Sequence, residues 1–182
     1  MPTPDRAPRT AADYWSLPDG ERAELIDGSL YAMTPPNRRH QDVVFGIGRA
    51  LANYVDACGG PCRVYVAPLA VNLTADDTTW VEPDVLVVCD PGKLSDRGCE
   101  GAPDFIAEVV SPSNRAHDYL VKAVLYEKAG VREYWVVDPD YGRTTVYRYA
   151  TTGPMPLIYP FAVPVPVDIY GGELEIRMAD LV

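Results

Sequence analysis

Two segments of the sequence are apolar on both faces of an extended chain, which restricts the folds open to it. Residues 85–88 are wholly aliphatic, and residues 105–110 are apolar except for one glutamate, Glu108. Strands of this kind are central strands that are covered on both sides, as in sheets packed between helices. The sequence therefore predicts an α/β fold in which a mixed β-sheet is flanked by helices.

Helix signals lie on either side of these strands. Residues 37–57 carry apolar side chains at helical spacing, with Asn37 as the N-cap. A second helix is predicted over residues 115–128, capped by the Ser-Pro-Ser-Asn segment before it and ending at Gly130. The remaining predicted elements are a short helix at 11–17, strands at 62–73, 133–138 and 144–149, and edge strands within 156–182.

The N-terminal part of the chain contains one hairpin signal and one segment without structure signals. Residues 23–34 predict a β-hairpin, because the dipeptide Asp27-Gly28 suits a tight turn between two strands. Residues 1–10 are polar and rich in proline, which predicts a flexible arm. The sequence has no internal repeat and no long linker, so we expect residues 11–182 to form a single domain.

Hydropathy and cysteine usage predict a cellular compartment. No apolar run approaches the roughly 20 residues that span a bilayer, and the N-terminus lacks the apolar segment of a secretory signal. We therefore expect a cytoplasmic protein with no membrane association. In that reducing compartment the four cysteines, Cys58, Cys62, Cys89 and Cys99, are expected to be free thiols, since no second Cys or His pair at zinc spacing accompanies Cys58 and Cys62.

Two carboxylates stand where strand propensity disfavours them. Asp84 follows a proline at the head of an aliphatic strand, and Glu108 lies inside an almost wholly apolar one. A buried carboxylate pairs with a cation, takes up a proton or binds a metal ion. If the two strands are neighbours, the two carboxylates converge, and Mg²⁺ suits that geometry. The alternative is that Glu108 forms a structural ion pair and Asp84 merely begins a strand.

Lys122 is a third candidate residue. It lies on the helix that follows the Glu108 strand, and such a helix packs back on the sheet, so a long side chain can reach the carboxylates. Asp118 precedes it by one helical turn. From the spacing alone, an Asp118–Lys122 pair on the surface, worth about 0.3–0.5 kcal/mol, is the favoured interpretation.

Several segments between about residues 10 and 150 occur together in an order that is typical of one family. They are Glu24-Leu25-Ile26-Asp27-Gly28; His40; Glu82-Pro83-Asp84-Val85; residues 102–113; Asp118-x-x-x-Lys122; Tyr126; and residues 130–139. As a set, these segments resemble the restriction-endonuclease family of bacteria of the Uma-two type. That family is placed in the PD-(D/E)XK nuclease superfamily, whose core is a mixed sheet flanked by helices.

The resemblance implies a Mg²⁺-dependent endonuclease, with Mn²⁺ as an alternative ion, that hydrolyses phosphodiester bonds in DNA. Asp84 corresponds to the aspartate of the motif and Glu108 to its second acid, both as catalytic metal ligands, with the backbone carbonyl of Val109 as a further ligand. The superfamily usually has a lysine two residues after the glutamate, where this chain has Val110. The resemblance suggests Lys122 as a migrated catalytic lysine.

Three further residues are weaker candidates. In related nucleases an acidic residue from an early element joins the metal shell, which makes Glu24 a candidate catalytic residue. A cross-strand pair between Glu24 and a cation is the alternative. His40 lies near a helix start, where a lone histidine is more often solvated or capping than part of a site, and the case for His117 is weaker still.

The charge of the chain keeps other functions open. Lys and Arg number 16 and Asp and Glu 26, and a net charge of −10 argues against a protein whose task is tight, non-specific binding of nucleic acid. DNA would approach along a local basic strip, for which Arg38, Arg39, Arg115 and Lys128 are candidates. The alternatives are a catalytically weak or inactive nuclease-fold module that binds nucleic acid or a partner protein, and a structural dimer whose carboxylates are ion-paired.

The C-terminal tail predicts self-association. Residues 154–170 carry more apolar side chains than one sheet edge requires, and an exposed patch of that kind often marks an interface. Superfamily members that cut both strands commonly work as dimers. We therefore expect a homodimer.

Overall fold

The computed structural model describes residues 7–74, 76–111 and 115–182. Its α-helices are α1 (Ala11–Trp15), α2 (Arg38–Cys58) and α3 (Ala123–Ala129), and a π-helical segment, His117–Lys122, leads directly into α3. The strands are β1 (Ala23–Ile26), β2 (Ser29–Ala32), β3 (Arg63–Val66), β4 (Val71–Asn72), β5 (Trp80–Val81), β6 (Val85–Val88), β7 (Leu94–Ser95), β8 (Gly98–Glu100), β9 (Phe105–Val109), β10 (Glu133–Asp138), β11 (Arg143–Arg148), β12 (Gly153–Pro160), β13 (Val165–Pro166) and β14 (Glu175–Ile176). In these ranges, no helix has both the length and the hydropathy needed to cross a membrane.

The strands form two larger sheets. The central sheet has the order β12-β11-β10-β9-β6-β3, and it is mixed because β9 and β10 run parallel while the other neighbours run antiparallel. The hairpin sheet has the order β2-β1-β5-β4-β8-β7. The predicted mixed sheet with flanking helices and an N-terminal hairpin is confirmed. The hairpin sheet as a whole was not predicted, because most of its strands are only two or three residues long and carry no apolar run.

The central strands are covered on both faces, as their composition predicts. Val85, Val87 and Phe105 lie in one core cluster with the buried face of α2. Leu86 and Ile106 lie in a second cluster with residues of α3 on the opposite face. Alternate side chains of β6 and β9 therefore pack against different helices, which explains why neither strand shows a polar face.

The N-terminal hairpin forms at the predicted turn. Asp27 and Gly28 both have positive φ angles, 46° and 73°, as a two-residue turn of the type that matches strand twist requires. Leu25 of β1 is fully buried against Tyr14 and Trp80. Of the predicted N-terminal arm, residues 1–6 lie outside the described part of the chain, and the backbone N–H of Arg9 donates to the carbonyl of Gly28 at 2.8 Å.

The helix that follows β9 begins and ends close to the predicted bounds. The backbone is helical from Arg115, and Gly130 ends α3 in the left-handed conformation with φ 93°. Most of the predicted cap, residues 112–114, lies outside the described residues. The π-helical geometry of His117–Lys122 was not predicted, because a hydrophobic pattern does not distinguish one wider turn inside a helix.

The prediction of four free thiols is wrong for two of the cysteines. Cys62 and Cys89 form a disulfide, while Cys58 and Cys99 are free. The reason lies in the sheet register. Strands β3 and β6 are antiparallel neighbours with Arg63 opposite Val88, so the next pair along the same register brings Cys62 opposite Cys89.

Candidate functional site

The register of the central sheet brings Asp84 and Glu108 together. Strands β6 and β9 are antiparallel neighbours with Val85 opposite Ala107, so Asp84 and Glu108 follow as the next opposed pair. The backbone N–H of Val109 donates to Asp84 Oδ2 at 2.8 Å, which fixes the aspartate at the end of β9. Strands β6 and β9 are thus neighbours, as the predicted convergence of Asp84 and Glu108 requires.

Lys122 reaches this pair from the helix above the sheet. Its Nζ donates to Glu108 Oε1 at 2.8 Å and to Glu24 Oε1 at 2.9 Å, and it lies 3.8 Å from Asp118 Oδ1. Both Lys122 and Asp118 are only 4% exposed. The surface-pair interpretation of Asp118–Lys122 is therefore wrong, because the π-helical segment turns this face of the helix toward the sheets.

The π-helical turn itself contributes to the site. In this geometry hydrogen bonds close between residues five apart, so side chains four and five residues apart share one side of the segment. His117, Asp118 and Lys122 are related by these spacings, and all three line the same cavity. A regular α-helix would turn residues five apart to different faces.

Glu24 enters the site from the hairpin sheet. Besides Lys122, its Oε1 accepts a hydrogen bond from the backbone N–H of Glu82 at 3.1 Å. Its cross-strand neighbour is Tyr31, so the predicted alternative of a cross-strand cation is wrong, and the cation comes from the helix instead. Glu82 is in turn bound by the Arg22 guanidinium and the Tyr14 hydroxyl, which anchors this edge of the site.

His40 belongs to the site rather than to the solvent. Its Nε2 lies 3.1 Å from Asp84 Oδ2, and its side chain is only 11% exposed. The expectation of a solvated histidine is wrong because α2 packs its first turn against the end of β6. Capping is instead the role of Asn37, whose Oδ1 accepts from the His40 backbone N–H at 2.9 Å.

Tyr126 is a contact that sequence reasoning missed. Its hydroxyl donates to Glu108 Oε1 at 2.7 Å, and the ring is fully buried. Tyr126 lies four residues after Lys122, so one helical turn directs both side chains at the same carboxylate. That spacing was a usable signal, but an aromatic residue on the inner face of a helix is more simply interpreted as core.

The electrostatics of the site are dominated by burial and by an excess of negative charge. Burial raises the pKa of Glu108 well above its ordinary value, and the Lys122 ammonium offsets this only in part. Burial likewise raises the pKa of Asp118 to about 7. Burial alone would lower the pKa of Lys122, but the neighbouring carboxylates, Glu108 foremost, hold that pKa well above its ordinary value. Lys122 is therefore a fixed positive charge.

The donor set of the site fits a hard divalent cation. Asp84 Oδ2 contacts the Val109 backbone N–H and His40 Nε2, and Glu108 Oε1 contacts Lys122 Nζ and the Tyr126 hydroxyl, so both carboxylates are held at the cavity. Carboxylate and carbonyl oxygens are the ligands that Mg²⁺ and Mn²⁺ prefer. Within the described ranges of the chain, no three His, Cys, Asp or Glu side chains are grouped as a complete metal shell. Mg²⁺ commonly uses only one or two carboxylates and keeps several waters.

These residues surround a cavity of about 530 Å³. All the candidates from the sequence line it, and they are Glu24, Asp84, Glu108, Val109 and Lys122 together with the weaker candidates His40 and His117. A volume of this size accommodates a small ligand or one segment of a larger one.

Val110, which occupies the usual lysine position, is instead 4% exposed in the apolar cluster beneath α3. A lysine at 110 would therefore have to displace core packing.

Two of the four residues of the predicted basic strip are paired with acids. Arg38 is paired with Asp42 at 2.5 Å, and Arg115 is paired with Asp138 at 2.9 Å and with Asp140 at 3.0 Å. These ion pairs reduce the positive charge that the strip offers to a phosphate backbone, in a chain whose net charge is −10.

Comparisons with known proteins agree with this fold. The model of the family Uma2, described as "Putative restriction endonuclease", matches residues 11–160. An uncharacterized protein of Synechocystis sp. is 30% identical over 112 residues, which are 62% of this chain and 57% of that relative. The crystal structure of a "putative nuclease belonging to DUF820" from Anabaena variabilis superposes with a TM-score of 0.78 at 21% identity, over 96% of this chain and 97% of that one.

Proposed function

Because this chain belongs to the Uma2 family of restriction-endonuclease-like proteins, we propose that it is a metal-dependent endonuclease that hydrolyses phosphodiester bonds in DNA. The observation that carries the proposal is the position of Lys122 Nζ, 2.8 Å from Glu108 and 2.9 Å from Glu24, in the cavity that Asp84 also lines. Two converging acids and one ammonium are the groups that this chemistry needs.

In the proposed reaction, Asp84, Glu108 and the backbone carbonyl of Val109 would hold Mg²⁺ or Mn²⁺. A bound divalent ion lowers the pKa of water and neutralises charge on a phosphate. Hydrolysis adds the oxygen of water to phosphorus, breaks the bond from phosphorus to one sugar oxygen, and passes the proton of that water through solvent to the departing oxygen.

The protein groups around the carboxylates have distinct tasks in this proposal. Lys122 stays charged, so it stabilises negative charge on the phosphate rather than abstracting a proton. Glu24 and Tyr126 hold Lys122 and Glu108 in position. His40 and the N–H of Val109 both contact Asp84 Oδ2 and hold this carboxylate at the cavity.

Plasmid nicking tests the proposal directly. Purified protein with Mg²⁺ or Mn²⁺ is expected to convert supercoiled plasmid to the open circle, and Asp84→Asn and Glu108→Gln are each expected to abolish the conversion. Removing one metal ligand or one electrostatic group typically costs about 10²-fold or more in rate. The control is Glu127→Gln, an exposed carboxylate on α3, which is expected to cut like the wild type.

Three outcomes would contradict the proposal. Nicking that persists in both site variants would identify a contaminating nuclease. Folded wild-type protein that binds no Mn²⁺ in a calorimetric titration would favour the ion-paired structural dimer instead. Binding of Mn²⁺ and DNA without any cutting would favour the catalytically inactive module.

We also propose that the protein forms a homodimer through the exposed apolar side chains of β12, which lie on both faces of this strand. The exposed apolar side chains there are Met155 at 72%, Leu157 at 38% and Ile158 at 59%. Strand β12 is an outer strand of the central sheet, and three of its residues, 154, 156 and 160, are prolines without an N–H donor. Because these prolines disfavour hydrogen bonding between the β12 edges of two copies, we propose that the dimer forms through contacts between the exposed side chains instead.

A further inference from the structure

Tyr31 occupies a position at the cavity that the proposed chemistry does not use. It lies on β2 directly opposite Glu24 of β1, so the two side chains share one face of the hairpin. Its ring is 43% exposed, and it lines the same cavity as Lys122. One residue, Glu24, links the exposed ring to the Lys122 ammonium, because Glu24 lies opposite Tyr31 on the neighbouring strand and contacts Lys122 Nζ.

His117 completes the pair from the opposite side. It belongs to the π-helical segment, five residues before Lys122, and its ring centroid lies 4.7 Å from that of Tyr31. Its Nε2 is buried and has no hydrogen-bond partner among the described residues. Burial and the nearby Lys122 ammonium lower the pKa of His117, which favours the neutral ring. A neutral imidazole with an unused nitrogen can hydrogen-bond a base or a sugar.

We infer that Tyr31 and His117 form a stacking platform for an unpaired nucleobase, whose adjoining phosphate lies at Lys122. The inference rests on the proposed nuclease function and names its substrate class as nucleic acid with an unpaired nucleotide at the cleavage site. A base inside a duplex has both faces covered by its neighbours, so it cannot stack on a protein ring unless it leaves the helix.

The charge of the protein supports the same substrate class. Binding along a duplex depends on contacts to many phosphates, and this chain has a net charge of −10, with Arg38 paired to Asp42 and Arg115 paired to Asp138. Single-strand binding also uses basic groups, but stacking on an aromatic ring is tolerant of sequence and adds affinity that a base inside an intact duplex does not gain. A cavity whose lining includes an exposed aromatic ring therefore suits a single strand better than it suits a rigid double helix.

Fluorescence anisotropy with a labelled oligonucleotide tests the inference. A single strand and a blunt duplex of the same length and sequence are titrated with the protein, with Ca²⁺ in place of Mg²⁺ to slow hydrolysis. We expect the wild type to bind the single strand more tightly than the duplex. Tyr31→Ala is expected to weaken single-strand binding by about 5- to 150-fold, the value of one stacked base, while duplex binding is unchanged.

Three further variants keep the result interpretable. Tyr31→Phe retains the ring and is expected to bind the single strand like the wild type, whereas His117→Ala is expected to weaken it. Phe45→Ala removes an aromatic ring on α2 that is 66% exposed and lies outside the cavity lining, and it is expected to have no effect. Circular dichroism of each variant checks that the fold is retained.

The outcomes separate this inference from the proposed nuclease activity. Tighter binding of the duplex by the wild type, or equal single-strand affinity of Tyr31→Ala and wild type, would overturn the platform even if the protein cuts plasmid. If single-strand binding depends on Tyr31 but the protein cuts no DNA, the result would support the platform and contradict the proposed nuclease activity.

Discussion

At the scale of single residues, Lys122 shares one ammonium among several buried carboxylates. Glu24 and Glu108 are both 4% exposed, and each contacts Nζ within 3 Å. A buried ion pair is weak evidence for stability, because desolvation offsets the attraction, but removing one partner leaves an uncompensated charge. The lysine therefore maintains the local structure as well as supplying positive charge to the proposed reaction.

Substituting Lys122 by methionine tests this double role. We expect Lys122→Met to lower the free energy of unfolding by about 3–5 kcal/mol, because two buried carboxylates lose their cation. Adding Glu24→Gln to that variant is expected to restore part of the loss, with a coupling energy of about 0.5–3 kcal/mol between the two positions. Urea unfolding of the wild type, both single variants and the double variant measures the cycle. Strictly additive costs would show that the contact carries no coupling.

The residues of the site differ in how far sequence could predict them. Asp84 and Glu108 stand out because acids are rare in apolar strands, and that signal is local. Lys122 needed the family resemblance, since spacing alone favoured a surface pair. Tyr31 carries no sequence signal, because its place at the cavity depends on the hairpin register and on a helix about ninety residues away.

At the scale of elements, the disulfide connects β3 to the strand that begins just after Asp84. Cys62 and Cys89 close a loop with a sequence separation of 27. Cross-linking a loop of this length restricts the unfolded chain and typically stabilises a protein by about 2–4 kcal/mol. The same covalent link holds β6 against its neighbour at the end of the strand opposite Asp84.

Reduction is therefore expected to weaken the fold measurably. The free energy of unfolding with dithiothreitol should be about 2–4 kcal/mol lower than without it, because the reduced chain gains conformational entropy. Cys62→Ala should reproduce the loss and be insensitive to the reductant, while Cys58→Ala, which removes a free and exposed thiol, should behave like the wild type. Equal stability of the oxidised and reduced protein would contradict this prediction.

Elements with strong local signals were predictable, and those defined by pairing were not. The α2 helix, the Asp27-Gly28 turn and the central strands follow from periodicity, turn chemistry and apolar runs. The strands β7 and β8 have two and three residues, and only their partners in the hairpin sheet define them. The disulfide likewise depended on register, which composition does not reveal.

At the scale of the whole molecule, the proposed dimer depends on the exposed apolar side chains of β12. Gel filtration at micromolar concentration is expected to give a species near twice 20.0 kDa. Ile158→Lys introduces a charge into an apolar contact and should shift elution toward the 20.0 kDa monomer. Val163→Lys, at a residue that is 43% exposed and lies beyond β12, is the matched control and should leave the dimer intact. A wild type that elutes as a monomer would refute the dimer.

The prolines of β12 have a consequence beyond dimer geometry. Edge strands rich in apolar side chains are common starting points of amyloid-like growth, because their unpaired backbone N–H and C=O groups can pair with a strand of another chain. In β12 the prolines at 154, 156 and 160 have no backbone N–H to donate, which disfavours pairing with a further strand. The exposed apolar side chains of β12 are therefore available for the proposed dimer contact, while the prolines of the same strand make the folded protein resistant to fibril formation.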